Sequence, residues 1–155
     1  MLRGPVYLQE NQLSMPDSDA KGFRFVPYKA SQGEPFMSDD QIKHFRNILS
    51  DWKHVLMHEV DRTVSHMQDD AGQFPDPNDR ASQESEIAIE LRTRDRERKL
   101  IKKINESLLA LDVGEYGYCE ACGVEIGLRR LEARPTATLC IDCKTVQERR
   151  ERQAG

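Results

Sequence analysis

The sequence predicts a mainly α protein: a long antiparallel coiled-coil hairpin on a small globular base, with a four-cysteine zinc finger and a C-terminal helix. Three observations carry this reading. Apolar residues recur every three or four positions from Ile42 to Met67, and a second long stretch carries a further apolar set. Phe74-Pro75-Asp76-Pro77 separates those stretches and forbids one continuous helix. The four cysteines of the chain form two C-x-x-C pairs, Cys119/Cys122 and Cys140/Cys143, with seventeen residues between them.

Residues 1–37 are irregular, broken by Pro5, Pro16, Pro27 and Pro35. They are expected to pack on the globular base through Phe23, Phe25, Val26, Tyr28, Phe36 and Met37. Residues 38–113 form the hairpin, with its tip at 72–81. Ser38 is predicted to cap the first helix, with Gln41 reaching back as the other half of a capping box. From there Ile42, Phe45, Leu49, Trp52, Leu56, Val60, Val64 and Met67 make one apolar stripe. Gly72 suits a C-terminal cap.

The second helix runs from Pro77 or Asn78 to Asp112, with Ile87, Leu91, Ile101, Ile104, Leu108 and Leu111 as its apolar set. Each helix has about 33 residues and is about 50 Å long. Only 37% of the chain is hydrophobic and 32% is charged, so little apolar sequence remains to cover the stripes, and the two helices are expected to bury each other.

Residues 114–140 form the zinc-finger module. Two C-x-x-C turns aim four thiolates at one ion, and a filled four-sulfur shell leaves no position for water, so the metal is structural. Gly123 is expected at positive φ where the first turn closes. Around Ile126, Leu128, Leu131 and the Arg134-Pro135 corner the chain is expected to be irregular or strand-like. Two disulfides are the weaker alternative. After Met1 there is no apolar secretory stretch, and reduced thiols in such pairs read as metal ligands. Residues 141–155 read as a charged helix with Cys143 in its first turn.

The net charge of −4 and isoelectric point near 5.6 weigh against a dedicated duplex-DNA binder. No apolar run is long enough to cross a membrane, and the protein is expected in the cytoplasm. Two places outside the cysteines carry unusual charge. Asp76 and Asp79 flank the turn; capping accounts for both residue types, but a position at the end of a long rod also presents them to a partner. On the second helix, Arg92, Arg96, Lys99 and Lys103 share one face within a run that includes Arg94 and Arg98. With Arg129, Arg130, Arg134 and Lys144 they make a candidate phosphate-sized basic pocket.

The stretch from Asp39 to Lys144 resembles the DksA/TraR family of bacterial transcription factors, zinc-containing type. The likeness is strongest in Phe74-Pro-Asp-Pro-Asn-Asp-Arg-Ala81, in Leu91-Arg-Thr-Arg-Asp-Arg-Glu-Arg-Lys-Leu-Ile-Lys-Lys103 and in Gly117-Tyr-Cys-Glu-Ala-Cys-Gly-Val-Glu-Ile-Gly127. Residues 1 to about 22 do not share it. The resemblance implies a monomeric, non-enzymatic regulator that binds RNA polymerase directly without binding DNA. Its coiled-coil tip enters the secondary channel and destabilises open promoter complexes in the stringent response. The effect represses ribosomal RNA synthesis and activates some biosynthetic promoters.

The implied functional tip is Asp76, Asp79 and Ala81, and the polymerase-contacting residue is Arg96. Guanosine tetraphosphate (ppGpp), bound at the interface with polymerase, falls to Leu100, Lys103, Arg134 and Lys144. The Zn2+ ligands are Cys119, Cys122, Cys140 and Cys143. The alternative is a transcript-cleavage or elongation factor acting through the same channel.

Overall fold

The computed structural model describes residues 23–70 and 76–155, without the side chains of residues 66, 67, 69 and 70. Among the described residues there are four helices: α1 Asp39–Asp70, α2 Pro77–Val113, α3 Leu128–Ala133 and α4 Ile141–Ala154. An isolated antiparallel bridge joins Tyr118 and Glu125. No described helix is long and apolar enough to cross a membrane. The predicted mainly α class holds, and the chain divides into two compact units: Arg46–Tyr116, and the described part of Met1–Phe45 together with Gly117–Gly155.

In the first unit α1 and α2 run antiparallel. Arg46 near the start of α1 reaches Asp112 in the last turn of α2 at 2.8 Å, which sets their register. Ile48, Leu49, Trp52 and Leu56 are buried on α1, and Ile104, Ser107 and Leu111 on α2. Removing such side chains from water is the main stabilising contribution, at about 1.5–3 kcal/mol for each large one. α2 stops at Gly114, whose left-handed conformation (φ 77°) turns its N–H onto the carbonyls of Ala110 and Leu111. The N–H groups of Glu115 and Tyr116 follow onto Ala110.

The far half of the hairpin departs from the predicted stripes. Val64, Ile87 and Leu91 are exposed, the last at 54%. The inward line of α2 is instead Glu90, Glu97, Ile104 and Leu111, at seven-residue steps, joined by Thr93 and Leu100. Its far half is polar. Arg94 lies within it, its side chain only 15% exposed, with Nη1 at 2.5 Å from Glu97 and Nη2 at 4.0 Å from Glu90. On α1, Thr63 is buried and returns its hydroxyl to the Glu59 carbonyl. Among the described residues, full burial of the apolar stripes therefore falls in the half marked by Arg46 and Asp112. The predicted Gly72 cap and the Phe74 turn lie outside the described residues.

The second unit gathers the N-terminal segment round the finger. Phe23 and Phe25 are buried and Tyr28 is half-buried, as predicted, whereas Val26 faces solvent. Ser38 precedes α1, and the N–H of Gln41 is 3.4 Å from its hydroxyl. The reciprocal half of the capping box is shifted by one residue: Gln41 Oε1 accepts from the N–H of Met37, not Ser38, at 2.8 Å. The cause is Glu34. Its carboxylate accepts from the Ser38 hydroxyl, the Tyr28 hydroxyl at 2.7 Å, the Ser31 N–H at 2.8 Å and Gln41 Nε2 at 3.0 Å. Gln41 is thus drawn inward to 1% exposure.

The expected irregular piece after Ile126 is corrected: Leu128–Ala133 is helical. Gly127 (φ 95°) turns the chain into it, its residues are good helix formers, and Pro135 enforces the stop. Gly117 (φ 92°) packs so closely that a Cβ there would meet Met37 Cε at 3.0 Å and Phe36 Cε1 at 3.1 Å. This contact lets Phe36 lie edge-on to Tyr118, with ring centres 5.5 Å apart.

Candidate metal centre and acidic tip

The finger begins where the Tyr118–Glu125 bridge closes. Cys119 N–H donates to Val124 O and Gly123 N–H to Cys119 O, both at 2.8 Å, and Gly123 takes the predicted positive φ of 74°. This tight turn brings Cys119 and Cys122 to one side. The second pair is placed by α4: Cys140 is its N-cap, its sulfur accepting from Cys143 N–H, and Cys143 falls in the first turn as predicted. Glu120 N–H reaches Thr138 O at 2.9 Å and Arg130 Nε donates to Leu139 O at 3.1 Å, so the approach to Cys140 is held from two sides. Arg130, counted from the sequence in a basic pocket, is instead engaged inside the finger.

All four sulfurs lie within 4.8 Å of one another, and Cys122 and Cys140 are 3.7 Å apart. The thiols are free, and that separation is far beyond a disulfide bond of about 2.05 Å. It fits the edge of a tetrahedron with Zn–S distances of about 2.3 Å. The electrostatics point the same way. Backbone N–H donors, that of Cys140 foremost, hold the Cys119 thiol down to about 6. The crowded sulfurs of Cys140, then Cys122 and Cys119, push Cys143 up to about 12. Four sulfurs gathered this closely form a donor set that suits Zn2+. The four sulfurs would fill its shell, so the ion would supply structure.

In the other unit, α2 opens with Asp76 as N-cap and Pro77 directly after it, as predicted. The Asp76 backbone carbonyl accepts from Arg80 N–H at 2.9 Å, but its carboxylate makes no cap hydrogen bond. Side-chain capping therefore does not account for Asp76. Asp76, Asp79 and Ala81 are all exposed at the start of α2, as its N-cap, in its first turn and just beyond it. Arg92, Arg96, Lys99 and Lys103 are exposed along one face, while Arg94 is withdrawn from the predicted basic run into the hairpin. Leu100 is half-buried beside them.

Of the residues assigned to the nucleotide, Leu100 and Lys103 belong to the hairpin unit, and Arg134 and Lys144 to the finger unit. Arg134 is exposed just past α3. Lys144 is half-buried on α4, its amine 3.3 Å from Gln147 Oε1.

Sequence reasoning missed Glu132. It is 7% exposed and accepts from Tyr28 N–H at 2.6 Å, with His44 Nε2 at 2.9 Å, joining the N-terminal segment, α1 and α3. A partner 104 residues away leaves no local pattern to find.

Two long antiparallel helices and a compact unit built round a four-thiol finger define a C4 zinc-finger protein of the hairpin type. More narrowly, the chain belongs to the DksA family. Residues 41–111 match the family described as DnaK suppressor protein DksA, N-terminal domain, and residues 114–149 match the prokaryotic dksA/traR C4-type zinc finger.

The chain is 62% identical over 127 residues to the RNA polymerase-binding transcription factor DksA of Escherichia coli K12, covering 82% of this chain and 84% of that one. Over 129 residues it is 58% identical to the protein of the same name from Haemophilus influenzae Rd, covering 83% and 89%. The solved structure of transcription factor DksA2 from Pseudomonas aeruginosa is similar with a TM-score of 0.70 at 40% identity, covering 76% of this chain and 90% of that one.

Proposed function

We propose that this protein is a transcription regulator that binds RNA polymerase directly and acts through the exposed first turn of α2. The observation that carries the reading is the 62% identity to an RNA polymerase-binding transcription factor over most of both chains. The carboxylate of Asp76, free of capping duty, supports it. On this reading residues 38–113 are the reaching element, inserted into the secondary channel with Asp76, Asp79 and Ala81 foremost, and Arg96 meets the channel rim.

The factor destabilises open promoter complexes, lowering ribosomal RNA synthesis and favouring some biosynthetic promoters. Guanosine tetraphosphate strengthens the effect, with Leu100 and Lys103 on α2, and Arg134 and Lys144 in the finger unit, as its contacts on this protein. Cys119, Cys122, Cys140 and Cys143 hold one structural Zn2+, residues 114–140 form the finger module, 141–155 its closing helix, and 1–37 pack on that base. The protein works as a cytoplasmic monomer, neither binding duplex DNA by sequence nor catalysing a reaction.

The test is the lifetime of a ribosomal promoter complex with purified polymerase, with and without guanosine tetraphosphate. The protein is expected to shorten it, more so with the nucleotide, and an unchanged lifetime would overturn the reading. Shortening of transcripts in stalled elongation complexes would favour a cleavage factor instead.

A further inference from the structure

His54 and His58 stand one turn apart in the interior of α1, and both side chains are exposed. At about 100° per residue they share the face turned away from the buried side chains of Leu49, Trp52 and Leu56. Asp51 and Asp61, also exposed, extend the same face by a turn at each end, so the four side chains occupy an arc of about 80°. Neither imidazole takes a hydrogen bond or ion pair among the described residues, and neither is needed to bury or satisfy anything in the hairpin.

Imidazoles four apart on a helix are neighbours, with Cβ atoms about 5–6 Å apart. The same spacing is how helical H-x-x-x-H pairs grip one metal ion. Because α1 is already formed and its opposite face packed, the backbone ordering such a chelate needs has been met before an ion arrives.

We propose that His54 and His58 form a second metal site, separate in its residues from the four-thiol finger, which takes a late first-row divalent cation such as Ni2+, Cu2+ or Zn2+. Imidazole nitrogen suits these ions, with Cu2+ held more strongly than Ni2+ or Zn2+. Two nitrogens leave the rest of the shell to water. Asp51 and Asp61 are not gathered with the imidazoles into a three-ligand group, so the two imidazoles alone are the site. Binding joins the ends of one helical turn and stabilises the folded hairpin by mass action.

The experiment is calorimetric titration of untagged, zinc-loaded full-length protein with Ni2+ at pH 7.5 and 5.5, alongside His54→Asn and His58→Asn. The wild type is expected to take up one further Ni2+ while finger zinc stays at one per chain by metal analysis. Each variant should bind it at least tenfold more weakly, with unchanged helicity. Affinity should fall at pH 5.5, where protons compete for the imidazoles. Equal affinity in wild type and variants, uptake indifferent to pH, or no uptake at millimolar Ni2+ would each overturn the proposal.

Discussion

Tyr28 and Glu132 lie 104 residues apart in sequence and 2.6 Å apart in space, the backbone N–H of one donating to the carboxylate of the other. With His44 Nε2 on the same oxygen, this one acid joins three separate segments of the finger unit. Glu132→Ala leaves a part-buried N–H and an imidazole without their acceptor. It should cost about 1–3 kcal/mol, read as a melting point lower by about 2–4 °C per kcal/mol. A melt indistinguishable from wild type would show that water replaces the carboxylate freely.

Glu34 should shape the acid limb of stability. Hydrogen bonds from Ser38, then Tyr28 and Ser31, hold its carboxyl down to about 2 from an ordinary 4.5. A carboxylate depressed on folding adds stability that is fully present above its unfolded pKa and is lost as pH falls through the folded one. Between about pH 5 and 2 the wild type should therefore lose stability more steeply than Glu34→Gln, by urea midpoints at stepped pH. Parallel curves would remove Glu34 from the account.

Arg94 and Arg96 are two residues apart with opposite surroundings. Arg94 sits between Glu90 and Glu97 inside the hairpin and carries a buried Nε with no partner, whereas Arg96 is exposed. Arg94→Ala strands two acids and should destabilise by about 1 kcal/mol or more. Arg96→Ala should stay within about 0.5 kcal/mol of wild type in stability while weakening polymerase binding. Equal melting points would mean that the Arg94 cluster is energetically silent.

Asp79→Asn should leave folding and polymerase affinity nearly intact but abolish the change in promoter-complex lifetime. Asp79 is exposed in the first turn of α2. Loss of helicity in the variant would instead assign it to the helix start.

Cys122→Ser removes one of four gathered sulfurs and should release the zinc and lower the melting temperature. Zinc retained at one per chain with an unchanged melt would refute a four-thiolate shell.

Local chemistry explains what the sequence made legible. The C-x-x-C turns, Gly123 and the start of α4 at Cys140 follow from short-range geometry, and the helices from their apolar period. The far half of the hairpin was misread because its inward line is Glu90, Arg94 and Glu97, which look in a linear pattern like a solvated face. Ile87 and Leu91, which look like core, face water. Leu128–Ala133 gives no readable period because the helix has only six residues, set between Gly127 and Pro135. Glu34 and Glu132 gave no signal at all, since an acid's long-range partners are set by tertiary packing.

Cys140 has two duties at once: its sulfur belongs to the metal cluster and also caps α4, a helix of 14 residues with no buried side chain of its own. A helix of that length is marginal in water when nothing packs against it. The same sulfur that would hold the ion also starts the last helix, so removal of metal is expected to loosen α4 before the hairpin, as an early loss of helicity in a chelator titration.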